Sequence, residues 1–110
     1  MVKRHLSDDM LVAKERGTEV VMGSDIVGDG TRPHGRNYEE IVEEARFLGN
    51  REALVAATSR AADCLGLEKA GMLKEGHRAD IVIVRGDPEQ DIHALAPERV
   101  IRVMKSGRFV

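Results

Sequence analysis

The sequence predicts an α/β fold, and three observations carry that prediction. A helix-forming stretch, a glycine and a short apolar run follow one another before Asp25, which is half of a repeating β/α unit. Two amphipathic helical stretches, each closed by a glycine, fill the middle of the chain. From Leu67 onward the pattern turns to short β-branched runs separated by Gly, Pro and Asp turns.

At the start, Leu6-Ser7-Asp8-Asp9 has the form of a helix entrance. Ser7 can cap, the two acids suit the positive end of the dipole, and Leu6 can staple onto Leu11. The helix is expected to run to about Arg16, with Gly17 as its left-handed stop. His5, just before it, reads as a solvated side chain. Val20, Val21 and Met22 then make a short strand, and a continuous apolar run suits a parallel strand covered on both faces. It ends at Gly23-Ser24-Asp25, and the carboxyl end of a parallel strand is where α/β proteins place their chemistry. Asp25 is therefore a candidate functional carboxylate; an ordinary Asx turn closing the strand is the competing reading.

A Gly- and Pro-containing loop follows to Arg36, with Asp29, His34 and Arg36 as candidate binding groups. Gly28-Asp29-Gly30 has the spacing of neither a Walker motif nor a dinucleotide fingerprint. His34 beside Gly35 can reach over a substrate or stand as an exposed turn histidine. Asn37, with Glu40 three residues on, resembles a capping box that opens a helix closed by Gly49. Ile41, Ala45 and Leu48 are its expected buried stripe, and Glu39, Glu43, Glu44 and Arg46 its wet face. Asn50 is expected to cap a third helix, from Arg51 to Leu65, with Leu54, Ala57, Ala61 and Leu65 on one side and Gly66 after it. Cys64 reads as a small core residue. In the tail, strands are expected at 79–84, 100–104 and 109–110, with a helical turn near Asp91–Leu95. His77, Asp80 and Asp87 read as turn and surface groups.

With 110 residues the chain can build one small domain. It is 42% apolar and 33% charged with a formal net charge of -2, which argues against nucleic acid or an acidic membrane surface as the main partner. Aromatics are 3% of residues, so the core must come from Val, Ile, Leu, Ala and Met. No apolar run reaches the length of a membrane span, and no signal-peptide core follows Met1. A single cysteine, Cys64, allows no internal disulfide and fits a reducing cytoplasm.

The tail carries a resemblance. Gly71-Met72-Leu73-Lys74-Glu75-Gly76-His77-Arg78-Ala79-Asp80 with the apolar strand after it, then Gly86-Asp87-Pro88 and Val103-Met104-Lys105-Ser106-Gly107-Arg108, resembles the carboxyl-terminal signature of metal-dependent amidohydrolases. Glu52-Ala53-Leu54-Val55-Ala56-Ala57-Thr58 with Leu65-Gly66-Leu67 is similar to that family's penultimate helix. Gly23-Ser24-Asp25 resembles the end of its eighth barrel strand. His34-Gly35-Arg36-Asn37 followed by Glu40 resembles the next loop in its imidazolonepropionase-like and prolidase-like branches. The likeness runs in order over nearly the whole chain.

The resemblance implies the last β/α step of a TIM-barrel, a (β/α)8 fold, over residues 1–66. Over 67–110 it implies the carboxyl-terminal strands of a small composite β-sandwich domain. It implies hydrolysis of an amide, cyclic amide or dipeptide-like C–N bond with one or two divalent metals, zinc foremost. Asp25 would be the strand-eight aspartate that binds metal and shuttles a water's proton, and His34 a substrate-loop residue. The family's first-strand His-x-His, its bridging lysine or equivalent and its two later metal histidines would all lie before Met1, and His5, His34, His77 and His93 show no His-x-His spacing. A barrel takes ~250 residues, so the resemblance implies a carboxyl-terminal portion, whether fragment, split gene product or decayed copy.

Two functional expectations stand side by side. In the first, the chain contributes Asp25 and its loop to a hydrolase completed by an upstream barrel chain, is inactive alone and holds no metal tightly. In the second, it is a non-catalytic remnant or oligomerisation module. Either way the helices and the Val20–Met22 run would leave apolar surface open, so self-association is expected.

Overall fold

The computed structural model describes residues 2–26, 30–31 and 33–110, with side chains from residue 8 onward. Four helices come first: α1 Val2–Glu15, α2 Tyr38–Leu48, α3 Asn50–Ala57 and α4 Ser59–Cys64. A three-stranded antiparallel sheet follows, in the order β1-β2-β3, from β1 Ile81–Val84, β2 Val100–Lys105 and β3 Arg108–Phe109. Two short 3-10 helices, Ile92–Leu95 and Pro97–Arg99, connect β1 to β2. An α/β chain with a β tail is what the sequence patterns anticipate.

The tail matches expectation closely. Ile81 pairs with Met104 and Val82 with Val103, and a bulge shifts the register between Ile83 and Val84. Ser106 and Gly107 form the two-residue turn between β2 and β3, both at positive φ, as a type I′ hairpin requires. Asp80 stitches that turn to β1: its Oδ1 accepts from the Ser106 N–H at 2.9 Å, and the Gly107 N–H donates to the Ala79 carbonyl at 3.0 Å.

The helical half differs in several places. α1 begins at Val2, so Ser7 lies inside the helix and does not cap it. Nothing before it breaks a helix, and local capping signals lose to a longer run of helical residues. The Leu6–Leu11 staple and His5 involve side chains outside the described residues. Asn37 and Asn50 make no side-chain cap bonds. Asn37 is already in helical geometry, and Asn50 is the first residue of α3 and donates to the Glu89 carbonyl at 3.0 Å. The expected single third helix breaks at Thr58 (φ -126, ψ -94), whose hydroxyl donates to the Leu54 carbonyl at 2.6 Å. A Cβ on Gly71 would lie 2.7 Å from the Thr58 carbonyl oxygen, so the tail comes in against the break itself. Beyond it Cys64 and Leu65, expected inside, are exposed, Leu65 at 75%.

The buried core is mostly alanine: Ala45, Ala53, Ala56, Ala62, Ala94 and Ala96, with Ile92. Ile41, Val42, Leu54 and Leu95 pack around Ala45, Ala53 and Ile92, so the 3-10 turn between β1 and β2 seats on the α2–α3 pair. Burying a methyl stabilises far less than burying a Leu or Phe side chain, and the chain correspondingly stays open. It exposes 8446 Å². A monomer of this mass is expected to expose about 6,000 Å². Glu44, expected to face water, is 7% exposed instead, and its Oε2 has no hydrogen-bond partner. Burial, followed by the neighbouring charge of Glu40, pushes its carboxyl above the usual range. No helix among the described residues is long and apolar enough to cross a membrane.

Candidate functional site

Residues 18–26 join no strand of the sheet, which corrects the expected buried strand at Val20–Met22. A parallel strand needs a neighbour for its N–H and C=O groups, and the sheet of this chain lies elsewhere. Exposure still alternates along the segment. Val20, Met22, Ser24 and Ile26 are half-buried, whereas Val21, Gly23 and Asp25 are exposed. That period of two belongs to an extended chain with one face against the protein.

Three hydrogen bonds hold the inner face. Arg60 Nη1 donates to the Val20 carbonyl at 3.4 Å, the Met22 N–H donates to the Ala56 carbonyl at 3.2 Å, and Asn37 Nδ2 donates to Ser24 Oγ at 3.1 Å. Ala56 lies in the last turn of α3, where carbonyls lack helical partners, so the Met22 amide meets a free acceptor. Arg60 also pairs with Glu52 at 2.9 Å, spanning the α3–α4 break, and its guanidinium holds the Glu52 carboxyl below the usual range. The tethers fall at positions 20, 22 and 24, three of the four inward residues.

Asp25 comes next and faces outward. Its φ is 47, the left-handed region that aspartate tolerates better than most non-glycine residues. An exposed carboxylate there can accept a proton or ligate a hard cation through oxygen. His34 is exposed in the turn before α2. Arg36 is engaged with Glu39 through its guanidinium, which leaves it less free as a binding group than the sequence suggests. Asp29 lies outside the described residues. The Ser24–Asn37 bond joins the Asp25 segment to the turn that carries His34.

Among the described residues no three of His, Cys, Asp and Glu gather to hold a metal ion. The described donors therefore form no such cluster, and Asp25 stands there as a single exposed carboxylate. Open clefts of about 320 Å³ and 220 Å³ are lined, the first by Met72, His77 and Arg78, the second, beside the Val20 tether, by Lys14, Val20, Glu52 and Arg60. Sequence reasoning passed over Arg60 and assigned Asn37 to capping. Both act across long sequence separations, and no local pattern signals that.

A model of the amidohydrolase family matches residues 1–110. A curated relative, the 5-methylthioadenosine/S-adenosylhomocysteine deaminase of Dictyoglomus thermophilum, is 30% identical over 84 residues, 64% of this chain and 18% of that protein. Among solved structures, a prolidase complexed with N-methylphosphonate-L-proline aligns at a TM-score of 0.84 with 32% identity, over 94% of this chain and 26% of that one. A Xaa-Pro dipeptidase with methionine bound in its active site aligns at 0.82 with 33% identity, over 94% of this chain and 25% of that one. The chain thus spans about a fifth to a quarter of the proteins it matches. Since the match to the family extends over the whole sequence and the fold follows its solved members, the chain belongs to the amidohydrolase family.

Proposed function

We propose that this chain is the carboxyl-terminal part of a metal-dependent enzyme that hydrolyses a C–N bond in a small amide or dipeptide-like substrate. Asp25 is its contribution to the metal centre and its proton acceptor, and His34 lies on the substrate loop. The observation that carries this reading is the outward-facing Asp25 that follows an extended segment tethered at Val20, Met22 and Ser24. Residues 1–66 correspond to the end of the (β/α)8 barrel and 67–110 to strands of the composite domain. The remaining ligands come from outside this chain. When bound, a divalent metal such as zinc polarises the scissile carbonyl and activates the nucleophile. The chain's own residues present the carboxylate, keep it away from the helices and carry off a proton. The excess exposed surface, about 2,400 Å² over the mass expectation, is of the size that obligate interfaces bury and supports packing against an upstream barrel segment or another copy. The setting is a reducing cytoplasm, where the exposed Cys64 stays a thiol.

The test is a chimera in which this chain replaces the matching segment of the Xaa-Pro dipeptidase. It is expected to cleave Xaa-Pro dipeptides, and Asp25→Ala should lower kcat/KM by about 10²- to 10⁴-fold. A folded chimera whose Asp25→Ala variant keeps its activity overturns the reading. The apolar residues left open on the sheet, Val82 at 56%, Ile101 at 55% and Phe109 at 49% exposure, favour a second reading as a non-catalytic oligomerisation module. That reading requires concentration-dependent self-association in sedimentation and a folded, inactive chimera.

A further inference from the structure

We propose that Asn37 is a positioning residue for Asp25, acting through Ser24. The role given to Asp25 rests on the reading above; the positioning is a property of this chain alone. Asn37 sits at the N-terminal boundary of α2, where an asparagine side chain ordinarily accepts a hydrogen bond from the first turn. Here it makes no such bond, and its backbone is already helical. Its amide instead reaches back 13 residues to Ser24 Oγ at 3.1 Å. Asparagine at this boundary has thus given up a local stabilising contact for a distant one.

The distant contact falls where the chain most needs it. Residues 18–26 have no ladder to hold them, so their path depends on the tethers at Val20, Met22 and Ser24. Asn37 supplies the last of these. Without it the nearest tether before Asp25 among the described residues is the Met22 amide, three residues away, with Gly23 between them. Gly23 adds backbone freedom at that point. Asp25 itself stands in the left-handed region, which costs free energy for any residue with a Cβ and persists only where its surroundings impose it. The Ser24–Asn37 bond, one residue before it, imposes that path. It also fixes the Asp25 loop relative to the turn that carries His34, three residues before Asn37.

Hydrogen exchange on the full 110-residue chain tests this. Asn37→Ala should speed exchange of the Met22 amide, which donates to the Ala56 carbonyl two residues before the lost tether, about five- to tenfold, the factor that one net hydrogen bond carries. Exchange in the first turn of α2 should change little, because Asn37 does not cap it. Ser24→Ala removes the same bond from the other side and should give the same acceleration. The double variant should add nothing further, as for two halves of one interaction. Asn37→Asp, which can accept from the Ser24 hydroxyl, should restore slow exchange. Unchanged exchange at Met22 in both single variants overturns the proposal, and so does acceleration of equal size throughout α2, which would mark Asn37 as a helix stabiliser. Failure of Asp25 as the metal-binding carboxylate appears on a different measurement, the activity of the Asp25→Ala chimera, and so is distinguishable from failure of the positioning.

Discussion

Replacing Glu44 by methionine should stabilise the protein at neutral pH. The side chain is 7% exposed on α2, its Oε2 has no partner, and Glu40, one turn earlier, adds a like charge. Leaving a buried polar atom unsatisfied costs ~1–3 kcal/mol, and methionine has similar volume and good helix propensity, so the gain should be of that order. In a domain of this size each kcal/mol corresponds to about 4–8 °C in Tm. The pH dependence supplies a second, independent sign. Burial raises the folded carboxyl above its unfolded value, so within that window the folded state binds more protons than the unfolded one. The contribution of Glu44 to stability is therefore greatest at low pH and falls as pH rises through the raised folded value. The advantage of Glu44→Met should be largest at neutral pH and shrink on acidification. Urea denaturation of wild type and variant across a pH series measures both effects. A variant equal to or weaker than wild type at neutral pH, or a gap that does not change with pH, refutes the reasoning.

Other outcomes follow from the turns and the metal donors. Gly76 has φ 82 with nothing within 4 Å of a Cβ, so Gly76→Val should cost on the order of 1–3 kcal/mol through backbone strain alone. Gly71→Ala, whose Cβ would also meet the Thr58 carbonyl, should cost more, and wild-type melting temperatures in both would show the turns to be loose. The Ser106 backbone N–H, and then Arg78, hold the Asp80 carboxyl below the usual range, so its stabilisation is present above the unfolded value and lost as pH falls through the lowered folded one. Asp80→Asn should therefore lower Tm at neutral pH and flatten its fall on the acid side; an acid limb as steep as that of wild type would count against it. The purified chain should neither hydrolyse amides nor retain an equivalent of zinc, since a catalytic zinc takes about three protein ligands. Elemental analysis showing a full equivalent that disappears in Asp25→Ala would overturn that.

Short-range order was legible in the sequence. Gly17, Gly49 and Gly66 follow α1, α3's predecessor and α4 within two residues, and the strands and hairpin of the tail lie within two residues of their expected bounds, because capping, turn chemistry and β-branched runs act over a few residues. The tail motif and the match over residues 1–110 agree for the same reason, since a signature built on turns and strands is local. Tertiary structure decided the rest. Val20–Met22 has the composition of a strand, yet strand formation requires a partner, and among the described residues the segment is held by single bonds to Arg60 and Ala56, with Asn37 on Ser24 just after it. The helix breaks at Thr58, where Gly71, 13 positions downstream, approaches closely, and Cys64 and Leu65 beyond the break are exposed. Glu44 went inside because the face of α2 that packs is chosen by its neighbours, not by its own charge pattern. Asn37 left its cap for Ser24 for the same reason: which of two competing hydrogen bonds forms depends on what folding brings within 3.1 Å, and a local pattern carries no record of that.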